Sequence, residues 1–164
     1  MTTRYLLDGA SLDEMMAVEH RSFPSPWSRE DVRSTLTSPW LRVIGAFEGE
    51  KLIGWGCAGV NPPEARLMTI AILPEFRRKG HGKALLEALL RAAADAGCGY
   101  MELECRRNNL PARQMYETHG FIKVGVSKGY YTDTGEDAFV YCLPALPEGV
   151  PENDPYITEN ITEN

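Results

Sequence analysis

The sequence has no apolar run of the length that crosses a membrane. A transmembrane helix needs about 20 consecutive apolar residues, and polar or charged residues interrupt every apolar stretch of this chain well before that length. The polar start Met1–Arg4 also lacks the features of a secretory leader. We therefore expect a cytoplasmic protein that makes no contact with a membrane.

Cysteine is scarce, and its spacing excludes the common metal motifs. Cys57, Cys98, Cys105 and Cys142 are scattered, and no two of them have the C-x-x-C spacing. Such thiols are typical of the reduced core of a cytosolic protein and not of disulfides or zinc ligands. We expect no metal.

An excess of positive charge is missing as well. The 164 residues hold 17 Lys and Arg against 23 Asp and Glu, which gives a formal net charge of −6. This balance argues against direct nucleic-acid binding. The length predicts one domain with a real core, residues 1–143. Residues 144–164 are acidic and contain several prolines, so we expect a mobile or loosely packed tail there.

Against this acidic background, the segment Arg77–Lys83 is basic and reads R-R-K-G-H-G-K. The apolar run Leu67–Ile72 before it predicts a buried strand, and apolar residues at helical spacing after it predict a helix. Gly80 and Gly82 then lie at a helix N-terminus, where free amides and partial positive charge favour a phosphate-bearing ligand. The plain alternative is a tight turn with a solvated charged rim. Neither a Walker-type P-loop nor a dinucleotide fingerprint is present.

The rest of the chain follows strand and helix patterns in the order β-α-α-β-β-β-α-β-α-β-β. The first strand is predicted at Thr3–Leu7, and the last two at Phe121–Val126 and Ala138–Leu143. Capping signals precede three of the helices: Ser11 with Glu14, Ser28 with Asp31, and Asn108 or Asn109 before Pro111.

This order, with Arg77, Gly80 and Gly82 matching the motif Q/R-x-x-G-x-G/A, resembles the GNAT acetyltransferase superfamily from about Thr3 to Leu143. The resemblance implies an α/β (α+β) fold, with a mixed, mostly antiparallel seven-stranded sheet flanked by four helices. It also implies acetyl-CoA as the cosubstrate. The residues expected to bind acetyl-CoA are Ile70, Ala71 and Ile72 of the strand and Arg77, Arg78, Lys79, Gly80, His81, Gly82 and Lys83 of the loop.

Four further segments resemble the N-terminal amine acetyltransferases, in particular the bacterial ribosomal-protein-alanine N-acetyltransferases. They are F-P-S-P-W-S from Phe23, L-E-C-R from Leu103, N-x-x-A-x-x-x-Y-E-x-x-G-F from Asn109 and Y-Y-T-D-T-G-E-D-A from Tyr130. This resemblance implies acetyl transfer to a protein N-terminal amine, with a ribosomal protein as the partner. The alternatives are lysine or a small amine as the acceptor, or a non-catalytic acyl-CoA-binding module. We expect a monomer or a weak dimer.

The same resemblance gives Glu104 the role of general base and Tyr116 that of general acid, with Asn109 and Tyr116 contacting the cofactor. The chemistry fits, because an α-ammonium with a pKa of about 8 must lose a proton before it attacks a thioester. A carboxylate can accept that proton, and a tyrosine hydroxyl can protonate the leaving thiolate. Strand alternation puts Glu102 on the same face, so it is an alternative base, and points Cys105 to the opposite face.

The peptide itself is expected to contact Phe23, Trp27 and Tyr131. Phe23 and Trp27 are large apolar residues in a proline-stiffened segment, so they could equally form a hydrophobic plug between two helices. The segment F-P-S-P-W-S is longer than the F-P-W-S form of the bacterial family. This difference affects the expected peptide specificity more than the chemistry.

Overall fold

The alternating and helical apolar patterns become seven strands and four helices in the computed structural model, which describes residues 1–6 and 9–147. The strands are Thr2–Tyr5 (β1), Leu41–Glu48 (β2), Lys51–Asn61 (β3), Glu64–Ile72 (β4), Tyr100–Arg106 (β5), Ile122–Tyr131 (β6) and Glu136–Leu143 (β7). The helices are Leu12–Ser22 (α1), Arg29–Thr35 (α2), His81–Asp95 (α3) and Leu110–Thr118 (α4). The predicted order of elements is confirmed.

The strands form one sheet in the order β1-β2-β3-β4-β5-β7-β6. Every neighbouring pair is antiparallel except β4 and β5, which confirms the mixed, mostly antiparallel sheet. The parallel pairing is short, because only Glu64–Arg66 pairs with Tyr100–Glu102. Beyond Arg66 the two strands separate, and the edge of β4 that faces β5 no longer bonds to it.

The sheet is covered on both faces. On one face, alternate residues of β5, Met101, Leu103 and Cys105, join buried residues of α3 and Tyr116 of α4 in one hydrophobic cluster. On the other face, β-strand residues such as Trp55 pack with buried residues of α1 and α2 in a second cluster. The polar residues of β5 lie on this second face, beyond the cover of the two helices.

Two of the three predicted helix caps are confirmed. Ser28 Oγ accepts a hydrogen bond from the backbone amide of Asp31 at 3.1 Å, and Asn109 Oδ1 accepts one from that of Ala112 at 3.3 Å. The capping box at Ser11 is wrong. Ser11 ends a short 3-10 turn (Gly9–Ser11), so its backbone does not have the extended form of a cap and its side chain makes no cap bond. Glu14 instead accepts from the backbone amide of Leu52 at 2.9 Å.

The last hairpin is longer than predicted. β6 runs to Tyr131 and β7 begins at Glu136, whereas the sequence patterns end β6 at Val126 and begin β7 at Ala138. Register shifts in the β6–β7 pairing break the simple alternation on which the prediction depends. The hairpin therefore carries Tyr130 and Tyr131 on a strand, and its turn lies at residues 132–135.

The two ends of the predicted domain fall partly outside the described residues. Leu7, the predicted end of the first strand, and residues 148–164 of the predicted tail lie there. Before them, the backbone amide of Leu146 bonds to the carbonyl of Gly99 at 2.8 Å, and its side chain packs against the core. Within residues 1–6 and 9–147, no helix is long and apolar enough to cross a membrane.

The close approach of β3 and β4 at Gly54 predicts that a larger residue there lowers the stability of the protein. A Cβ on Gly54 would lie 2.5 Å from the carbonyl oxygen of Ala71, which belongs to the paired strand and cannot move away cheaply. We expect Gly54→Ala to lower the free energy of unfolding by about 1–3 kcal/mol. Gly59→Ala is the control in the same strand, because its Cβ would have no atom closer than 3.7 Å. Chemical denaturation that gives both variants the same stability would contradict this packing.

Candidate active site

The site lies where β4 and β5 separate. β4 continues for six residues beyond its last pair with β5, so the backbone groups of this stretch that face β5 are not bonded to it. At its end, the carbonyl of Ile72 accepts a hydrogen bond from the Arg77 side chain. Ile70, Ala71 and Ile72, which are predicted to bind the cosubstrate, lie in this stretch. Glu104 lies on the part of β5 that has left β4. A cosubstrate that adds to the open edge of β4 would therefore lie beside the polar face of β5.

The basic glycine loop becomes the entry to α3. Gly80 is the residue before the helix, with a φ of 84° that favours glycine, and His81 begins the helix. The first helical bond back to the loop runs from the amide of Ala84 to the carbonyl of Gly80, at 3.1 Å. The amides of the first turn before Ala84 have no intrahelical partner, which is the arrangement that binds phosphate.

Two side chains of the loop are used inside the protein. Arg77 Nε donates to the carbonyl oxygen of Ile72 at 2.8 Å, so it attaches the loop to the end of β4. The imidazole of His81 is buried, with Nδ1 at 2.9 Å from the sulfur of Met1. These two residues therefore offer their backbone to a ligand. Arg77, Arg78, Lys79 and Lys83 are all exposed to solvent, although Arg77 already uses its Nε in the bond to Ile72.

The predicted base, Glu104, is ion-paired with Arg66 of β4. One nitrogen of the guanidinium, Nη1, donates to both carboxylate oxygens, at 2.5 Å and 2.6 Å. The pair raises the pKa of Arg66 further. The Glu104 side chain is 20% exposed and that of Arg66 is 38% exposed, so the pair is open to solvent on one side. Sequence analysis missed Arg66, because a single arginine in an apolar strand carries no motif.

The predicted acid, Tyr116, is buried on α4. Its ring packs edge-on against Phe121, at 5.6 Å between centroids, and tilted against Tyr141, at 6.2 Å. Burial raises the pKa of Tyr116 well above its usual value, with a smaller contribution from Cys105. Its hydroxyl is therefore protonated at neutral pH and is a weaker acid than that of an exposed tyrosine. Asn109, from the same predicted set, uses its side-chain oxygen to cap α4.

Two segments that are distant in the sequence, the α1–α2 connection and the β6–β7 hairpin, meet above the polar face of β5. Ser25, between α1 and α2, donates to Asp133 of the β6–β7 hairpin at 3.2 Å. Arg106, at the end of β5, pairs with Asp133 at 2.8 Å and stacks 3.9 Å above the ring of Tyr131. Tyr131 thus lies beside β5, where its ring contacts an arginine that sequence analysis did not assign to the site. Its contact with a peptide stays a prediction.

Phe23 and Trp27 pack inward as well as bordering the site. Trp27 contacts the ring of buried Trp55 edge-on, at 6.2 Å between centroids, and both Phe23 and Trp27 pack against the second hydrophobic cluster. Both side chains are only partly buried. The alternative of a hydrophobic plug therefore describes their inner surfaces, and their outer surfaces remain available to a substrate.

Comparison with known proteins identifies the family. Residues 12–121 match the acetyltransferase (GNAT) family. The chain belongs to this family. A GNAT relative from Escherichia coli K12, named [Ribosomal protein bS18]-alanine N-acetyltransferase, is 32% identical over 146 residues, which cover 88% of this chain and 98% of the relative.

Solved GNAT structures agree with the architecture. The crystal structure of the ribosomal-protein-S18-alanine N-acetyltransferase from Escherichia coli superposes with a TM-score of 0.81 at 30% identity, covering 93% of this chain and 97% of that one. Arabidopsis thaliana NAA60 in complex with acetyl-CoA gives a TM-score of 0.75 at 17% identity, covering 86% and 96%. The second likeness shows the GNAT fold alone.

Cysteine has no place in the chemistry of this GNAT site. Cys105 is adjacent to Glu104 but lies on the face covered by α3 and α4. Burial raises the pKa of the Cys105 thiol to about 11, so the nucleophilic thiolate is nearly absent at neutral pH. Across the described parts of the chain, no group of three or more His, Cys, Asp or Glu side chains could hold a metal ion.

Proposed function

We propose that this GNAT enzyme transfers the acetyl group of acetyl-CoA directly to the α-amine of a protein N-terminus. The proposed main acceptor is the N-terminal alanine of a ribosomal protein. The observation that carries the proposal is the carboxylate of Glu104, which holds a cationic nitrogen between its two oxygens beside the open edge of β4. An N-terminal ammonium presents the same kind of nitrogen. Similarity to the Escherichia coli enzyme over nearly its whole length supports the choice of acceptor.

The glycine loop would hold the pyrophosphate of acetyl-CoA. The free amides before Ala84 and the exposed Arg78, Lys79 and Lys83 supply donors and positive charge at the N-terminus of α3. From there the pantetheine arm would follow the open edge of β4 past Ile72 toward Ile70. That path brings the thioester beside Glu104, and a free amide of the edge can stabilise the oxyanion.

Glu104 would accept the proton that the ammonium must lose before its nitrogen attacks the thioester carbon. The new C–N bond forms as the C–S bond breaks, and the attacking nitrogen loses its second proton to water, which leaves a neutral amide. The hydroxyl of Tyr116 would give a proton to the leaving thiolate and regain one from water. Burial raises the pKa of Tyr116, so this weak acid would give its proton only as negative charge develops on the sulfur. No covalent enzyme intermediate is needed, in agreement with the protonated state of Cys105.

A peptide panel tests the choice of acceptor. Purified protein and acetyl-CoA are incubated with free N-terminal peptides that begin Ala, Ser or Met, and with an N-blocked peptide that contains lysine. We expect mass spectrometry to find one acetyl group on the free peptides, most rapidly on the Ala peptide. Acetylation of the blocked peptide alone would contradict the proposal, and binding of acetyl-CoA with no product on any amine would indicate a non-catalytic module.

Substitution of the two proton-transfer residues tests the mechanism. Glu104→Gln and Tyr116→Phe keep the shape of each side chain and remove only its proton chemistry. We expect each to lower kcat by about 100-fold or more, since a positioned acid or base contributes that much. Calorimetry should find acetyl-CoA affinity nearly intact in Glu104→Gln, and reduced less than turnover in Tyr116→Phe. Glu102→Gln and Tyr130→Phe are the matched controls. A normal kcat for Glu104→Gln with a low one for Glu102→Gln would transfer the role of base to Glu102.

Arg66 would compete with the substrate for Glu104. Its guanidinium nitrogen lies where the ammonium nitrogen must lie, so the amine can bind only as Arg66 moves away. We expect Arg66→Ala to lower the peptide KM by about two- to fivefold, the range of a partly exposed ion pair. Arg29→Ala removes the same charge from a 2.6 Å pair with Asp13 and should leave KM unchanged. A raised peptide KM in Arg66→Ala would contradict this competition.

A further inference from the structure

Glu19 of α1 is the buried charge that the proposed mechanism does not use. Its side chain is 1% exposed, although it lies in a helix whose other charged residues face solvent. One carboxylate oxygen, Oε2, accepts from the backbone amide of Trp27 at 3.1 Å. The other, Oε1, is the sole fully buried side-chain oxygen or nitrogen without a hydrogen-bond partner in the described parts of the chain. Such an arrangement is costly, because a buried carboxylate needs partners for both oxygens.

Glu19 binds both ends of the segment Phe23–Trp27. Its backbone carbonyl accepts from the amide of Phe23 at 3.1 Å, and its side chain accepts from the amide of Trp27. The segment reads F-P-S-P-W, and the two prolines have no amide hydrogen. Glu19 therefore engages two of the three amides that the segment has. The prolines stiffen the backbone between those two points, so fixing the ends fixes the whole segment.

The helix that carries Glu19 packs on the sheet. Its buried residues Met15 and Val18 share the second hydrophobic cluster with Ala71 of β4. Desolvation raises the pKa of the Glu19 carboxyl, and the hydrogen bond from the Trp27 amide partly offsets that effect. Glu19 thus joins the Phe23–Trp27 segment to a helix that lies against the strand that would carry the acetyl group. On its far side, the same segment contacts the β6–β7 hairpin through Ser25 and Asp133.

We propose that Glu19 is a positioning residue, which sets the Phe23–Trp27 segment against β4 and so determines how tightly the peptide acceptor binds. The inference rests on the proposed peptide substrate. Glu19 acts through the segment and not on the reacting atoms, because the backbone amide of Trp27 occupies one oxygen and protein covers the other. Position 19 requires a hydrogen-bond acceptor at the distance that a glutamate side chain spans. It does not require the negative charge.

Two substitutions separate the effect of the length of the Glu19 side chain from the effect of its charge. Glu19→Gln keeps an acceptor oxygen at the same distance from Trp27 and removes the charge, whereas Glu19→Asp keeps the charge and withdraws it by one methylene. Glu14→Asp is the matched control, because Glu14 lies on the same helix and makes the same kind of bond, to the amide of Leu52 at 2.9 Å. Leu52 lies near the start of β3, and its amide belongs to the sheet and not to the Phe23–Trp27 segment.

The measurement is steady-state kinetics with an N-terminal peptide and acetyl-CoA varied in turn. We expect Glu19→Asp to raise the peptide KM about tenfold, as for loss of a hydrogen bond to a charged group, with the KM of acetyl-CoA unchanged. Glu19→Gln should keep a peptide KM close to wild type, and Glu14→Asp should do so as well. Thermal unfolding of each variant checks that all four proteins are folded.

Three results would overturn the inference. A normal peptide KM in Glu19→Asp would show that the bond from Glu19 to the Trp27 amide does not affect peptide binding. An equal rise of the peptide KM in Glu19→Asp and Glu19→Gln would show that the charge itself is required. An equal rise in Glu14→Asp would reduce the effect to a general loss of stability in α1. Failure of the proposed function is distinguishable from all three, because the wild-type protein would then acetylate no peptide N-terminus.

Discussion

The separation of β4 from β5 is the constraint on which the rest of the site depends. Parallel strands that paired along their full length would satisfy each other's backbone groups and leave no edge for a ligand. Here only Glu64–Arg66 pairs with Tyr100–Glu102, and the strands then part. The open edge of β4 leads to the glycine loop at one end and lies beside the polar face of β5 along its length. In the proposed mechanism, one departure from regular pairing supplies both the cosubstrate path and the catalytic face.

Side-chain hydrogen bonds hold the two sides of this opening in place. Arg77 attaches the glycine loop to the end of β4, and Arg106 attaches the β6–β7 hairpin to the end of β5. Glu19 binds the Trp27 amide at the end of the α1–α2 segment, and Ser25 connects that segment to the hairpin. The proposed acceptor site is therefore bordered by segments that are irregular in sequence but held by specific contacts. GNAT chemistry on a peptide needs this order, because a nitrogen must reach the thioester at a defined angle.

Local signals in the sequence predicted most of the fold. Ser28 and Asn109 cap helices as predicted, because capping depends on residues three positions apart. The capping box predicted at Ser11 does not form, because Glu14 instead accepts a hydrogen bond from Leu52 of β3, which lies far along the chain. Arg66 and Arg106 were missed for the same reason: each acts through a partner more than 25 residues away. The roles of Glu104 and Tyr116 were taken from a family resemblance. The structure adds the ion pair of Glu104 with Arg66 and the burial of Tyr116.

The central claim is that the acceptor is a protein N-terminal amine that reacts at Glu104. The most direct measurement treats a cell extract with the purified protein and isotopically heavy acetyl-CoA, and then maps heavy acetyl groups by peptide mass spectrometry, with Glu104→Gln as the control. The account predicts heavy label on the N-terminal amine of a ribosomal protein, and its loss with the control variant. Heavy label confined to lysine side chains, or equal labelling by the control variant, would contradict it.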